Sequence, residues 1–539
     1  MNELDFAFIN GLVITVNPNF DVVSAFGVKD GKFAAVGSAQ DVLSMAGEGT
    51  QVVDLAGKTV LPGLIDSHLH MNMSARGLSI LDLRGLTKSE VLSAVRQKAK
   101  DTPRGEWIYA RGWNNDAWQD TSFPCKEELD EVSPYNPACL IRSCAHAAWV
   151  NSKAFEELNI DENVKDPQGG EFVKDSAGKL TGIVKDMAIE PFKAFMPALD
   201  AQALQSAMLK VQDMLLSYGL TSVCDAGASP SDVDAFRDLY AQDKLKIRIY
   251  AALYISYNSF AELLAKTKEA VKGGVRIGEC GSRLTVRAYK AILDGALGSS
   301  SAYLLNPYSD APGRGTAYYT EGELYELLRV PYSCGFQLMT HAIGDGAVRR
   351  CLNVYQRLKE EFPHIKDPRM RAEHVQVIDM CDIDRFFSLG VIPSVQTVFM
   401  RTDKDMAPRR LGPRAQNSYL WRTLIDKGNI LPNGTDCPIH PANPFLAMYC
   451  AVTRKDERGR PKGGWRAGEA MTRVEALKSY TIWGAYACFQ EKAKGSIEPA
   501  KFADFVVIDR DYLNVQESEI KNIQVLAAYI GGEQVYIRT

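Results

Sequence analysis

The chain has 539 residues, of which 46% are hydrophobic and 24% are charged, an ordinary globular composition. Its formal net charge of −4 gives no sign of a nucleic acid or an acidic membrane surface as a partner. The sequence shows no run of 18 apolar residues, no signal-peptide pattern and no Cys-x-x-Cys pair among its 11 cysteines. We therefore expect a cytoplasmic protein with reduced thiols that acts on a small molecule, without nucleic-acid or membrane partners. The oligomeric state stays open, with a homodimer as the commonest arrangement.

Both ends of the chain have the pattern of short strands. Apolar stretches separated by Asn-Gly and Asp-Gly turns fill the first sixty residues, and the same pattern returns near the C-terminus. An isolated pair of strands is only marginally stable, so the two ends have reason to pair. We predict one small composite β-sandwich domain made of residues 1–60 and 495–539.

The sequence between these ends alternates short apolar strands with amphipathic helices. Eight strands are predicted, at 60–68, 219–225, 246–255, 283–290, 336–341, 369–374, 390–396 and 428–436. Helices are predicted at 234–242, 260–271, 322–330, 346–361 and 383–389. This alternation is typical of an α/β fold of the (β/α)8 TIM-barrel class, here over residues 61–494. Residues 73–204 are then an insertion after the first barrel strand.

A pair of histidines ends the first predicted barrel strand. His68 and His70 are spaced i, i+2, and residues two apart on a strand point to the same side. Their imidazoles can therefore converge on one metal ion, and neutral imidazole is a common ligand of zinc. A chance His-x-His on a surface strand is the simpler alternative.

Further candidate residues follow other predicted strands, and a barrel gathers its active site at the C-terminal ends of its strands. They are Lys290, His341, His374 and Asp436. Metals and burial would lower the pKa of Lys290, and a neutral lysine amine can take up CO2 to give a carbamate that bridges two metals. A plain ion pair with Asp294 is the alternative. A carboxylate at Asp436 is suited to proton transfer, with a turn-forming role as its alternative.

Several motifs, in order, carry a family resemblance. They are Leu61-Pro-Gly-Leu-Ile-Asp-Ser-His-Leu-His, Lys290-Ala-Ile-Leu-Asp-Gly, His341-Ala-Ile-Gly-Asp, Glu373-His374, Ser394-Val-Gln396, Gly434-Thr-Asp436-Cys-Pro and Lys501-Phe-Ala-Asp-Phe-Val-Val-Ile. With these the chain resembles the amidohydrolase superfamily, and most of all its amidohydrolase-3 branch of N-acyl and N-substituted formamide amidohydrolases. The motifs cover nearly the whole chain.

The resemblance implies a metal-dependent hydrolase that cleaves a non-peptide C–N bond by attack of water activated on the metal. It implies that His68, His70 and Asp436 hold one zinc ion and that His341 and His374 hold a second. Carboxylated Lys290 would bridge the two ions. Asp436 would also move the proton from the water to the leaving nitrogen.

Four further residues are predicted to contact the substrate. The branch carries a Gly-His-Ala element, which here reads Ala145-His146-Ala, so His146 is a catalytic and substrate-binding candidate. The branch also has an acid a few positions after a Thr-Gly element, here Thr181-Gly182, and Asp186 matches it. Gln396 belongs to a matching motif, and Trp113 offers an aromatic wall, although core packing is the commoner role for one aromatic. Arg414 ends a basic segment, 401–414, which reads as a solvated loop, a carboxylate-recognition site or the anchor of a flap.

Other functions stay open on the same residues. A ring deaminase or a decarboxylase could use this scaffold, although superfamily deaminases generally use one metal and lack the carboxylated lysine. A non-catalytic binding or regulatory descendant is a different class, and the complete ligand set argues against it. Replacing Asp436 distinguishes the classes, since an enzyme would lose hydrolysis while ligand binding survived.

Overall fold

The computed structural model of the protein describes residues 3–196, 199–257 and 259–539. Both ends of the chain form two sheets. One sheet holds Phe6–Ile9, Ala25–Lys29, Lys32–Gly37 and Gln51–Asp54, and the other holds Leu12–Ile14, Val22–Val23, Thr59–Pro62, Phe505–Ile508, Val525–Ile530 and Glu533–Ile537. The N-terminal strand Thr59–Pro62 pairs antiparallel with Phe505–Ile508. Aromatic residues from both sheets meet in one core, where the Phe26 ring lies 4.8 Å from that of Phe505. The predicted composite β-sandwich is confirmed.

Seven parallel strands form most of the barrel. In order around the sheet they are Leu64–Leu69, Leu220–Ala228, Arg248–Leu253, Leu284–Ile292, Gln337–Ala342, Arg371–His374 and Ile392–Ser394, called the first to seventh barrel strands below. Each is parallel to its neighbours. The predicted TIM-barrel class is confirmed.

The eighth predicted strand, 428–436, is an irregular segment instead. It still closes the barrel, because Gly434 N donates to Val395 O on one side (3.0 Å) and Asp436 N donates to His68 O on the other (2.7 Å). Pro432 has no N–H to donate to a regular ladder of hydrogen bonds. A Cβ on Gly434 would lie only 2.6 Å from the backbone nitrogen of His68, so the two segments approach closely there. This close approach brings the Asp436 side chain beside the two histidines.

Helices follow most barrel strands and cover the outside. They are Ala201–Ser217, Pro230–Ala241, Phe260–Val271, Glu321–Ser333, Asp345–Glu361 and Ile383–Leu389, with Met400–Leu411, Trp421–Asp426, Pro444–Thr453, Arg473–Ser479 and Ile482–Ala487 later in the chain. Ser229, Ser259 and Thr320 each begin a helix by accepting a backbone N–H on the side-chain oxygen. The helices predicted at 260–271 and 383–389 are observed with the same bounds.

The insertion after the first barrel strand has its own sheet and cores. Its sheet order is Gly170–Lys174, Leu180–Asp186, Ala147–Val150, Ala138–Arg142, Ile108–Trp113 and Leu81–Asp82. Its main helices are Lys88–Asp101, Lys126–Val132, Ser152–Glu157 and Glu190–Lys193. Helix Met71–Gly77 precedes it, and Ala201–Ser217 returns the chain to the barrel. Within the described ranges, none of the helices combines the length and hydropathy that a bilayer span requires.

Candidate metal centre and active site

Three predicted ligands meet at the C-terminal end of the barrel. His68 lies on the first barrel strand, His70 lies at the start of the next helix, and Asp436 ends the closing segment. Asp436 Oδ1 lies 3.0 Å from His70 Nε2 and 3.5 Å from His68 Nε2. One ligand atom from each residue lies within 4.8 Å of the others. The i, i+2 spacing of the histidines therefore does bring both rings to one point.

A buried ion pair orients His68. Its Nδ1 lies 2.5 Å from Oε2 of Glu373, and Arg371 Nε donates to the other carboxylate oxygen at 2.7 Å. All three side chains are fully buried. A carboxylate behind a histidine fixes the ring and raises its basicity as a ligand, so His68 Nε2 is left facing Asp436. Sequence reasoning did not assign this role, although Arg371 and Glu373, spaced i, i+2 on the sixth strand, carried the signal.

His341 and His374 lie beside the first three ligands. Their ring centroids are 4.5 Å apart, and the His374 ring is 4.8 Å from that of His68. His374 Nδ1 lies 2.7 Å from Oε1 of Gln396, which is buried and absent from the cavity wall. Gln396 was predicted to contact substrate, and the structure places it behind a ligand instead.

Lys290 lies among these rings on the fourth barrel strand. Its side chain is buried, its Nζ is 3.4 Å from His68 Nε2, and burial lowers its pKa. The alternative partner Asp294 accepts backbone N–H groups of Tyr303, Ile343 and Gly344. In the described parts of the chain, no salt bridge involves Lys290. Only the neutral form of an amine reacts with CO2, and burial shifts Lys290 toward that form.

The chemistry of this donor set fits a divalent cation. Burial lowers the pKa of His68, His341 and His374 well below the ordinary value, so their rings are neutral and offer lone pairs. Asp436 Oδ1 is buried and, despite its closeness to His70, has no partner with hydrogen-bond geometry in the described residues. Imidazole and carboxylate groups that converge without bonding each other suit zinc and related metals.

The backbone is strained at two of these residues. His374 has φ +75° and Asp436 has φ +56°, the left-handed region that residues other than glycine rarely adopt. Each departure turns a side chain out of the normal strand alternation and toward the centre. Such strain, of order 1–3 kcal/mol per residue, is held by surrounding structure and concentrates at functional sites.

The insertion brings a fifth histidine to the centre. The His146 ring lies 5.1 Å from that of His341. His146 Nδ1 lies 2.8 Å from Asp186 Oδ1, which also accepts the Tyr318 hydroxyl at 2.8 Å. Ala145, where the branch has glycine, has φ +63° and keeps the glycine-like turn. The structure thus pairs His146 with Asp186, a contact that the sequence did not predict.

These groups line one cavity of about 250 Å³ between the insertion and the barrel. Its wall includes His70, Lys290, His341, His374, Asp436 and His146, together with Met73, Met187, Tyr254 and Tyr257. Five of the six metal-ligand candidates, all except His68, thus face the same space as the residue expected to contact the substrate. The cavity is large enough for a small organic molecule.

Two predicted substrate contacts are corrected. Trp113 is fully buried in the core of the insertion, where its indole N–H donates to Leu140 O at 2.7 Å, so it does not reach the cavity. Arg414 donates to the backbone carbonyls of Asn306 and Pro307 and fastens that loop. The segment read as a solvated loop is mostly the helix Met400–Leu411, because local hydrogen bonding and packing override its polar composition.

A barrel whose strand ends gather histidines, a lysine and an aspartate defines a metal-dependent class of proteins. The chain matches the amidohydrolase family over residues 51–536, and it belongs to that family. It is similar to the protein LONG AFTER FAR-RED 3 of Arabidopsis thaliana, with 30% identity over 99% of this chain and 91% of the relative. It is also similar to the N-substituted formamide deformylase of Arthrobacter pascens, with 28% identity over 99% of each.

A solved structure agrees with this assignment. An uncharacterized metal-dependent hydrolase from Pyrococcus furiosus superimposes with a TM-score of 0.70 and 29% identity, over 94% of this chain and 100% of that one. The resemblance drawn from the sequence motifs is thereby confirmed. The protein is a metal-dependent hydrolase of the amidohydrolase superfamily.

Proposed function

We propose that the protein hydrolyses the C–N bond of a small non-peptide amide, with N-substituted formamides as the first class to test. The observation that carries the proposal is one cavity faced by Lys290, Asp436 and three histidines on one side and by His146 on the other. Similarity to a formamide deformylase along the whole chain supports this choice of bond.

The metal ligands follow from the donor set. We propose two zinc ions: His68, His70 and Asp436 would hold one and His341 and His374 the other, and a carbamate on Lys290 would serve as a further ligand. When bound, such a metal supplies Lewis acidity and lowers the pKa of water from about 15.7 to about 7. Glu373 and Gln396 keep His68 and His374 turned toward the centre.

The remaining steps belong to side chains. Asp436 borders the cavity beside the ligands, where it takes a proton from the attacking water and delivers it to the departing nitrogen. Asp186 holds His146 through its Nδ1, so that the Nε2 side of the ring is turned toward the carbonyl oxygen. Tyr318 holds Asp186 in place by donating its hydroxyl hydrogen.

The first experiment measures metal per chain by plasma mass spectrometry and screens formamides, N-acyl amines and ring amines on the same preparation. Protein purified without chelators or a histidine tag should carry about two metals and release formate from N-substituted formamides. About one metal with release of ammonia from ring amines would instead indicate a deaminase. Absence of metal, with no gain from added zinc and bicarbonate, would favour a non-catalytic protein.

A further inference from the structure

The cavity continues from the metal centre into a second lobe. This arginine lobe, of about 260 Å³, is lined by Arg84, Arg142, Phe399, Arg401, Asp403 and His440. It shares His146, His341, His374 and Asp436 with the main cavity. A molecule whose reacting bond lies at the centre can therefore extend into the lobe.

Apolar side chains line the lobe beside the centre. The Phe399 ring stacks on His374 at 6.0 Å and contacts His440 at 4.4 Å. Leu297 and Met406 add further apolar surface. The part of a substrate next to its reacting bond therefore meets hydrocarbon, and a flat or aliphatic group fits there.

Most arginines around the lobe already have partners. Arg142 pairs with Asp116 at 2.5 Å, and Arg409 pairs with the same carboxylate at 2.6 Å. Arg84 pairs with Asp82, and Arg410 with Asp310 and the Gly298 carbonyl. Each of these four guanidinium groups is thus held by a carboxylate of the protein.

Arg401 differs from them. Its Nε lies 2.7 Å from Oε1 of the half-exposed Glu457, but without hydrogen-bond geometry, and its Nη1 is buried with no hydrogen-bond partner in the described residues. The nearby Asp403 does not compensate, since it accepts from Tyr419 and Thr402 and burial raises its pKa to about 6. A buried guanidinium nitrogen without an acceptor is costly and calls for a ligand.

We propose that Arg401 binds a carboxylate of the substrate, which is then an amide with a short apolar group between its C–N bond and a terminal acid. A guanidinium binds a carboxylate through parallel hydrogen bonds. This inference rests on the proposed amide hydrolysis. It also moves the carboxylate contact that the sequence suggested at Arg414 to the other end of the same segment.

The test compares 4-formamidobenzoate with its methyl ester, which has the same formamide and ring but no charge. The measured quantity is the ratio of kcat/KM for the acid to kcat/KM for the ester. Arg401→Gln should lower this ratio about 10- to 100-fold, the range for a lost hydrogen bond to a charged group, and Arg401→Lys should lower it less. The ratio cancels general losses of folding or metal.

Arg329→Gln is the matched control. Arg329 pairs with Glu361 at 2.6 Å on the outside of helix Glu321–Ser333, as Arg401 pairs with Glu457, but it does not line the cavity. The ratio of kcat/KM for the acid to kcat/KM for the ester should be the same in Arg329→Gln as in the wild type. An Arg401→Gln ratio that also equals the wild-type value, with both compounds hydrolysed, overturns the inference and leaves amide hydrolysis standing.

Binding decides the case in which neither compound is hydrolysed, an outcome that would count against the proposed function. Calorimetry of 4-formamidobenzoate with wild type and Arg401→Gln then replaces kinetics. Binding to wild type that weakens at least about tenfold in the variant supports the inference. Equal binding, or no binding to wild type, overturns it.

Discussion

A buried lysine lies at each end of the barrel interior, and the two have different surroundings. Neither forms a salt bridge among the described residues. The Lys290 amine, at the C-terminal end, lies 3.4 Å from His68 Nε2, whereas Lys494, at the opposite end, donates to Ser222 Oγ at 2.5 Å. Burial lowers the pKa of both, that of Lys494 to about 8. A lowered pKa therefore does not by itself mark a functional lysine; the groups that surround the amine do.

The largest expected effect is on catalysis and concerns the C-terminal end of the barrel, where the candidate metal ligands lie. Asp436→Asn should lower kcat about 10²- to 10⁴-fold, because the amide can neither take the proton from water nor pass it to the leaving nitrogen. Steady-state kinetics on an N-substituted formamide measures it. Asp426→Asn, on an exposed aspartate paired with Arg422, is the control and should keep full activity. Equal activity of the two variants would remove Asp436 from the mechanism.

Carbamate formation tests the contrast between the lysines directly. After incubation with zinc and 13C-bicarbonate, the wild type should show a carbamate carbon signal in the NMR spectrum. Lys290→Met should lose the signal and about half of the metal, since a thioether side chain takes up no CO2. Lys494→Met should keep both. A carbamate signal that survives in Lys290→Met would show that the carbamate does not form on Lys290.

Glu373→Gln tests the support behind a ligand. Glu373 joins His68 to Arg371, and loss of such a carboxylate typically weakens metal affinity 10- to 100-fold. Competition with a chromophoric chelator measures the affinity. The variant Glu361→Gln, on an exterior helix, should bind metal like the wild type. An unchanged affinity in Glu373→Gln would show that His68 is held without its carboxylate partner.

The smallest expected effect is on the free energy of unfolding and concerns Lys494, at the other end of the barrel from the candidate metal ligands. The pKa of Lys494 falls from 10.5 to about 8 in the fold, which corresponds to roughly 3 kcal/mol at most. Below pH 8 both folded and unfolded states carry the charge, and the burial penalty is complete. Between pH 8 and 10.5 the folded state loses its proton first, so wild-type stability rises. Lys494→Met should therefore stabilise the protein at pH 7 and stabilise it less at pH 10.5.

Urea unfolding at the two pH values measures this difference. The loss of the hydrogen bond to Ser222 opposes the gain by about 1 kcal/mol at both pH values, so the change with pH is the diagnostic quantity. A stabilisation that does not decrease with pH would show that the fold does not lower the pKa of Lys494.

Local patterns were enough to predict the barrel class and the meeting of the histidines, because strand alternation and the position of strand ends determine both. Other features depend on contacts far apart in the chain. The irregular segment 428–436 follows from how closely Gly434 approaches His68, and the burial of Trp113 follows from packing inside the insertion. Neither the close approach of Gly434 nor the burial of Trp113 can be predicted from local composition. The role of Gln396 likewise depends on where His374 turns out of its strand.

The insertion supplies His146 and Asp186, whereas all six proposed metal ligands lie outside it, in separately packed cores. The metal-ligand candidates and one wall of the substrate cavity are therefore carried by segments that recombination can exchange independently. A chimaera that took its 78–200 segment from another family member would inherit this protein's metal centre intact. It would meet new substrates with the same reactive core, which gives the scaffold a simple route to catalytic diversity.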